Sequence, residues 1–420
     1  MKLVKRVLGV SFLICMSLWS YGQTTRVLFI GNSYTAYNNL PQLTYDMALS
    51  AGDTLFVDSH TPGGQRLMHH ASNATAIGKI YSNSWNYVVL QAQSQEPSWP
   101  LGQVQAEVFP YAKSLCDTIR ANDSCTVPVF YMTWGRKNGD AFNCPNWPPV
   151  CTYLGMDSLL RERYLTMGND NDALVSPVGA VWRYIRANFP QIELYSPDES
   201  HPSLAGSYAA GCAFYAVFLR KNPEMITYHA SLDPGMADAI QTAAKTVVYD
   251  SLSKWNVGKF DPIADFTSVD TAHVPTVLFT NQSQNADSYY WDFGDGNTST
   301  LENPSHSYAH GAYQVTLIAT KCGQSDTLIK TVNVIIGSTD EIGIDQLNIY
   351  PNPVYEVLRI EGDLQSTFTQ MILMNDVGEV IQTSTFRSAW DVSDMPNGIY
   401  LLKLIQRDGH EITKKVIIRK

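Results

Sequence analysis

The feature that most constrains the fold is a regular alternation of apolar, strand-like runs with helix-like runs between residues 24 and 258. Alternation of this kind, with apolar strands, predicts a parallel sheet that is covered by helices on both faces. We therefore expect a three-layer α/β domain. Its strand candidates are RVLFIG (26–31), TLFVDSH (54–60), WNYVVLQAQ (85–93), TVPVFYMTWG (126–135) and the run that begins at Ala173.

Polar or small residues follow three of these strands: Gly31 to Ser33, Gln91 to Gln93, and Thr133 to Gly135. In open parallel sheets, ligands bind beyond the carboxyl ends of the strands. We therefore expect the three segments to meet at one edge of the sheet and to form a site there.

Ser33 is the candidate nucleophile of that site. A serine hydroxyl becomes reactive only when a base takes its proton. His201, in the loop SPDESHPSLAG, is the candidate base, and Asp198 lies three residues before it, close enough to orient the imidazole. Taken alone, GNS is a common turn and DESH a common helix start, so the prediction rests on the two together.

Gly31-Asn32-Ser33 and Asp198-x-x-His201 resemble the first and last motif blocks of the SGNH, or GDSL-like, hydrolase family. The resemblance covers residues 26 to about 225. It implies a flavodoxin-like hydrolase domain with Ser33, His201 and Asp198 as its catalytic triad.

The same resemblance implies an oxyanion hole built from the second and third blocks. In HTPGGQRL, Gly64 fits the family's glycine, with Gly63 as the alternative. The third block departs from the family, because VVLQAQ carries glutamines where the family keeps an asparagine. A glutamine amide also donates hydrogen bonds, so Gln93 is expected to join the Ser33 and Gly64 N–H groups, and Gln91 stays open.

Several residues near these blocks are candidates for the substrate pocket. Trp134 either lines the crevice or belongs to the core, Arg136 either faces the substrate or is solvated, and Trp99 is a possible sugar platform. His69 and His70 are expected on the surface or in packing. The full set of pocket candidates is Asn32, Gln91, Trp99, Trp134 and Arg136.

Two β-rich segments follow the first domain, and each is expected to be an all-β sandwich. The motifs WDFGDG, NPSHSY and GAYQVTLIAT within residues 262–336 resemble a PKD domain. YPNP, NGIYLLKL and the basic end KKVIIRK within 346–420 resemble the C-terminal sorting domain of type IX secretion cargo. That resemblance implies a Bacteroidetes-type bacterium and contact with the secretion machinery. Residues 337–345 read as a linker.

Residues 1–23 read as a secretory signal, because a basic start is followed by an apolar stretch too short to span a bilayer comfortably. The chain beyond it is expected to lack a membrane span. Removing the signal leaves six cysteines, an even number in an exported chain. Proximity in sequence suggests the pairs Cys116–Cys125 and Cys144–Cys151, with Cys212 as a buried free thiol.

These expectations define an exported serine esterase, secreted or held on the outer cell surface, that hydrolyses acyl groups, acetyl in particular, on carbohydrates without metal or cofactor. The net charge of −10 and the lack of a basic cluster beyond the N-terminus argue against nucleic acid as a partner. Two alternatives remain. One is a lipid esterase or thioesterase on the same site, and the other is a surface adhesin with a weak or inactive site.

Overall fold

A computed structural model describes residues 24–269, 276–334, 347–361, 368–407, 409 and 411–420. The predicted signal (1–23) and the predicted linker (337–345) lie outside the described residues. The chain divides into two compact units, one that holds residues 24–269 and 276–334 and one that holds the described residues from 347 onward.

The first part of the chain folds around a parallel five-stranded sheet whose strand order is β2-β1-β3-β4-β5. This is the flavodoxin-like order, and it confirms the predicted fold class. The three interior strands, β1, β3 and β4, are mostly buried because helices cover both faces. The strands are β1 (Thr25–Ile30), β2 (Leu55–His60), β3 (Tyr87–Leu90), β4 (Val127–Tyr131) and β5 (Leu174–Ser176).

Ten α-helices surround this sheet. The most buried of them, α9, is apolar all round, as expected of a helix inside the core. The helices are α1 (Ser33–Ala36), α2 (Leu40–Ser50), α3 (Leu67–Ser72), α4 (Ala74–Tyr81), α5 (Leu101–Glu107), α6 (Phe109–Asn122), α7 (Tyr153–Asp170), α8 (Val178–Asn188), α9 (Leu204–Leu219) and α10 (Pro234–Val247).

Two helical segments of the chain are each divided into two helices. Asn73 separates α3 from α4, and its side chain accepts hydrogen bonds from the N–H groups of Thr75 and Ala76 at 2.9 and 3.0 Å. An asparagine that caps a new helix in this way competes with helix continuation. Val108 separates α5 from α6, two residues before Pro110, which has no N–H to continue the first helix.

A β-sandwich follows, built from one sheet in the order β10-β7-β6 and another in the order β12-β11-β8-β9. Phe266 of the first sheet contacts Trp291 of the second, with ring centroids 5.1 Å apart, so both rings lie in the core between the sheets. The strands are β6 (Phe266–Val269), β7 (Thr276–Asn281), β8 (Ser288–Asp292), β9 (Thr298–Ser299), β10 (Ser305–Ser307), β11 (Gly311–Lys321) and β12 (Gln324–Val334).

The second compact unit is also all β, with sheets in the orders β13-β14-β17 and β16-β15-β18-β19 around one apolar core. Both predicted all-β domains are thus confirmed as to fold class. Within the described residues, no helix is long and apolar enough to cross a bilayer. The strands are β13 (Asn348–Tyr350), β14 (Val357–Glu361), β15 (Phe368–Asn375), β16 (Val380–Thr385), β17 (Ala389–Asp391), β18 (Gly398–Gln406) and β19 (Glu411–Ile418).

Candidate active site

Ser33 is the first residue of α1, directly after the turn that leaves β1. The side chain of Asn32 caps this helix by accepting from the N–H of Tyr34 at 3.1 Å. Gly31 lies so close to side chains of α1 and of the segment after β3 that an added Cβ would lie 2.4 Å from Thr35 Oγ1 and 2.8 Å from Gln91 Oε1. Only glycine fits there, which explains why the turn can bring Ser33 to the edge of the sheet.

The structure brings Ser33, His201 and Asp198 into one hydrogen-bonded chain. Ser33 Oγ lies 2.8 Å from His201 Nε2, and His201 Nδ1 lies 2.5 Å from Asp198 Oδ2. The other carboxylate oxygen accepts from the backbone N–H groups of His201 at 2.9 Å and Ser200 at 3.1 Å. The imidazole is therefore oriented so that one ring nitrogen faces the serine hydroxyl and the other faces the carboxylate.

Asp198 is ionised at neutral pH. Partial burial raises the pKa of this carboxyl group, but the hydrogen bonds from the His201 ring and from the backbone N–H groups of His201 and Ser200 outweigh it, so the pKa lies below its ordinary value. An ionised carboxylate favours the N–H tautomer at His201 Nδ1 and leaves Nε2 free to accept the proton of Ser33.

Aromatic rings hold the His201 loop in place. Tyr37 stacks on the imidazole with centroids 4.3 Å apart. Trp134 lies beneath the loop, stacked between Tyr34 at 4.8 Å and Trp182 at 3.7 Å, and its indole N–H donates to the carbonyl of Ser200 at 3.1 Å. Trp134 is completely buried. Of the two alternatives for Trp134, the core is therefore the one observed and the pocket is wrong. The indole supports the His201 loop from the core.

Gln91 and Gln93 differ sharply in surroundings. The Gln91 amide is fully buried and occupied: its oxygen accepts from Asn32 N–H and the Thr35 hydroxyl, and its nitrogen donates to Asn32 Oδ1 and Ala92 O. Gln91 and Asn32 thus brace the turn before Ser33 rather than line a pocket, contrary to the expectation for both.

Gln93 is only half-buried, and its amide nitrogen makes two long contacts, to Ser94 Oγ at 3.2 Å and to Gln95 Oε1 at 3.4 Å. Its oxygen is fixed by the backbone N–H groups of Gln95 at 2.8 Å and Glu96 at 3.3 Å. This arrangement orients the amide and leaves its donor weakly engaged, which is what a hydrogen-bond donor to a substrate requires.

Two backbone N–H groups complete the candidate donor set. Among the residues that the structure describes, the N–H of Ser33 has no protein acceptor. Gly64 lies in an exposed turn after β2 with a φ of +67°, a conformation that favours glycine. Gly63 lies beside it without this constraint.

Trp99 and Arg136 remain at the surface of this region. Trp99 is half-buried beneath the guanidinium of Arg66, whose Cζ lies 5.4 Å from the ring centroid. Arg136 is also half-buried, and its Nε is an enclosed donor with no partner among the described residues. Both stay candidates for substrate contact.

Sequence reasoning assigned no site role to His70. This side chain is fully buried, and its Nε2 lies 3.0 Å from the carbonyl oxygen of Gly31, directly behind the turn that precedes Ser33. Burial, with a smaller contribution from the charge of His60, lowers the pKa of His70 to about 4. The ring is therefore neutral at pH 7 and donates from Nε2. His69, next to it, is exposed. The two adjacent histidines thus differ in burial, and their sequence pattern does not reveal this difference.

In the described part of the chain, no three His, Cys, Asp or Glu side chains come together as a metal site.

Comparison with known families identifies the two C-terminal domains. Residues 260–336 match the PKD domain family, and residues 348–419 match the secretion system C-terminal sorting domain. The chain carries a PKD domain and a secretion sorting domain. Both resemblances drawn from the sequence are thereby confirmed. A sorting domain of this kind marks the protein as cargo for export.

Solved structures similar to parts of the chain include three of note. A DUF4886 family protein from Bacteroides uniformis is 19% identical over 55% of this chain and 95% of that chain, with a TM-score of 0.47. A candidate SGNH hydrolase from Slackia heliotrinireducens is 26% identical over 46% and 97%, with a TM-score of 0.38. The PKD1 domain of a Vibrio cholerae metalloprotease is 40% identical over 18% and 96%, with a TM-score of 0.17. Comparison with curated proteins gives no match.

The PKD domain is joined covalently to the α/β domain. Cys125 forms a disulfide with Cys322, 197 residues later in the chain. The predicted Cys116–Cys125 pair is therefore wrong: Cys116 points into the core from α6 and is a buried free thiol. Cys212 is a buried free thiol, as predicted.

The second disulfide joins Cys144 to Cys151 within one loop, the pair that proximity suggested. This loop follows β4 and is anchored to the Gln93 segment, since Gln95 Nε2 donates to the buried carboxylate of Asp140 at 2.8 Å. The disulfide thus closes a loop that borders the candidate site.

Proposed function

We propose that this protein is an exported serine esterase. The observation that carries the proposal is the hydrogen-bonded chain from Ser33 Oγ through the His201 imidazole to Asp198. Such a chain lets the imidazole take the serine proton as the hydroxyl attacks, which is the step that makes a neutral serine nucleophilic.

In the proposed reaction, Ser33 Oγ attacks the ester carbonyl while His201 Nε2 takes its proton. The tetrahedral intermediate collapses, and His201 gives the proton to the departing alcohol oxygen, which leaves an acyl-Ser33 ester. A water then attacks the acyl group with His201 as base, and the acid and free Ser33 are released. Asp198 stabilises the imidazolium that exists in between.

The proposed oxyanion hole consists of the N–H groups of Ser33 and Gly64 and the amide of Gln93. The free N–H of Ser33 and the weakly engaged Gln93 amide support this assignment. Each such donor stabilises a transition state by about 3–4 kcal/mol. Gln93 would replace the asparagine of the family pattern with a slightly longer arm.

The proposed substrate is an acylated carbohydrate, with acetyl as the acyl group, met outside the cell or at its surface. Support comes from the sorting domain, which implies export, and from the half-buried indole of Trp99 beside the site. Aromatic faces of this kind bind the apolar faces of sugars.

The proposal is tested by hydrolysis of p-nitrophenyl acetate by the wild type and by Ser33→Ala, followed by a panel of acetylated glycans and longer acyl esters. We expect activity that Ser33→Ala abolishes, and a preference for acetyl groups on sugars. Equal activity, or equal inactivity, of the two proteins would end the serine esterase proposal. Preference for long acyl chains would support a lipid esterase instead.

A further inference from the structure

A cleft of about 340 Å³ is lined by none of the residues of the candidate active site. Its walls come from α7, α8, α10 and the 3₁₀ segment Tyr249–Trp255. None of these elements carries Ser33, Gln93, Asp198 or His201. The volume lies within the range of small-molecule sites, about 300–1,000 Å³.

The cleft has an excess of positive charge. Three cations line it: Arg161, Arg183 and Lys254. Arg183 has one ion-pair partner, the buried Asp157 at 3.3 Å. Among the described residues, neither Arg161 nor Lys254 has a carboxylate within ion-pair distance. The Asp157 carboxylate also interacts electrostatically with Arg161, so the three cations of the cleft outnumber this nearby carboxylate.

The guanidinium of Arg161 is held in a defined position. Its Cζ lies 5.2 Å from the ring centroid of Trp255, which is itself almost completely buried and fixed by a hydrogen bond from its indole N–H to Val247 O at 2.9 Å. A guanidinium stacked on an aromatic ring keeps its N–H fork free for an oxyanion, and such a fork binds carboxylate or sulfate oxygens in pairs.

The remaining lining suits a hydroxyl-rich ligand. Asn188 and Ser251 supply an amide and a hydroxyl, and the ring of Tyr184 adds an aromatic wall. Cations combined with neutral hydrogen-bonding groups and aromatic rings match a sugar that carries an acidic group. Because the sorting domain directs the protein out of the cell, ligands met there include acidic polysaccharides.

We propose that this cleft binds an acidic saccharide unit whose carboxylate or sulfate ester is held by Arg161 and Lys254. The cleft would hold the protein on an acidic polymer while another site acts. This inference stands independently of the esterase proposal, because it uses none of the residues proposed for catalysis.

The test is calorimetric titration of the full chain without its signal, at low salt, with four probes. These are a trigalacturonate, a sulfated disaccharide, a neutral oligosaccharide of the same length as the trigalacturonate, and inorganic sulfate. We expect at least one acidic saccharide to bind, with affinity that falls as salt rises, and the neutral sugar not to bind. The uronate and the sulfated sugar distinguish the two sources of negative charge.

The matched variants are the double substitution Arg161→Gln/Lys254→Gln and the control Lys113→Gln. Arg161 and Lys254 are exposed, so both variants should fold, which circular dichroism verifies. Lys113 is an exposed lysine on α6 that does not line the cleft. Loss of two charge-assisted contacts should weaken binding by about tenfold or more, and Lys113→Gln should bind as the wild type does.

Three results would overturn the proposal: no binding of either acidic saccharide, equal binding of the neutral sugar, or unchanged affinity in the double variant. Binding of inorganic sulfate alone would show an anion site and would reject the saccharide.

Discussion

Arg66, in the loop after β2, forms an ion pair with Glu96, whose carboxylate is almost completely buried in the loop after β3. The same guanidinium also binds Glu107 at 2.7 Å. Arg66 follows Gly64 by two residues and Glu96 follows Gln93 by three. The ion pair therefore joins the two loops that carry two of the proposed oxyanion donors.

Replacing this arginine should affect both folding and rate. Arg66→Met leaves the buried Glu96 carboxylate without its cation, which typically costs about 3–5 kcal/mol of unfolding free energy. We expect kcat to fall while KM changes little, because the donors act mainly in the transition state. Urea unfolding and steady-state kinetics measure the two effects. The control is Lys113→Met, which removes an exposed pair with Asp117. Unchanged kcat in Arg66→Met would show that the ion pair does not position the donors.

Substitution of Gln93 should mainly lower kcat, whereas substitution of Gln91 should mainly lower the unfolding free energy. Gln93→Glu keeps the oxygen that accepts from Gln95 and Glu96 but removes the donor N–H, so we expect kcat to fall by about 10²–10³ with little change in stability. Gln91→Ala removes the acceptor of two buried donors and should mainly lower the unfolding free energy, by about 1–3 kcal/mol for each group left unpaired. If Gln93→Glu retains kcat, the oxyanion role of Gln93 is wrong.

His70 should make stability depend on pH. Its folded pKa of about 4 lies below the ordinary 6.5, because burial disfavours the charged ring. The unfolded chain therefore binds a proton below about pH 6.5 that the folded chain refuses until about pH 4. The buried, neutral His70 therefore makes its full contribution to the unfolding free energy above about pH 6.5. This contribution decreases by about 3 kcal/mol as the pH falls to 4.

The measurement is urea unfolding between pH 7.5 and 4 for the wild type, His70→Gln and His69→Gln. His70→Gln should lose less stability than the wild type over this interval, and His69→Gln, which changes the exposed neighbour, should follow the wild type. Parallel curves for all three proteins would contradict the buried, neutral state of His70.

The disulfide between the α/β and PKD domains predicts a specific pattern of thiols. A non-reduced digest should contain one linked peptide pair with Cys125 and Cys322, and Cys116→Ser should leave it unchanged. Burial raises the pKa of the Cys116 thiol to about 12, so this thiol should react only after unfolding. Cys125→Ser/Cys322→Ser should lower the unfolding free energy by about 2–5 kcal/mol. Cys116 in the linked pair would contradict the assignment.

The sheet and the position of its edge were predictable because they depend on local patterns. The seven residues from Val27 to Ser33 contain the apolar run of the strand, its end at Ile30, and the turn that begins at Gly31. The same holds for the segments that end in Gln91 to Gln93 and in Thr133 to Gly135. Parallel pairing then brings the strand ends together, whatever the lengths of the helices between them.

Contacts between distant segments were not predictable in the same way. Cys125 and Cys322 are 197 residues apart, and spacing alone cannot select a disulfide partner. A tryptophan at position 134 is compatible with either a core or a pocket position. Its stacking between Tyr34 and Trp182 shows that it belongs to the core. His70 and His69 are adjacent, yet the rotation of α3 buries one and exposes the other.

The assignment of Ser33 as the nucleophile is tested most directly by covalent labelling with a fluorophosphonate. Mass spectrometry of the digested protein locates the labelled residue. We expect one adduct per chain, on Ser33, because the His201 imidazole activates this hydroxyl. Labelling should be lost in His201→Ala and in Ser33→Ala, while Ser207→Ala, a buried serine of α9, should label as the wild type does. An adduct on another residue, or none on the folded wild type, would contradict the assignment of Ser33 as the nucleophile.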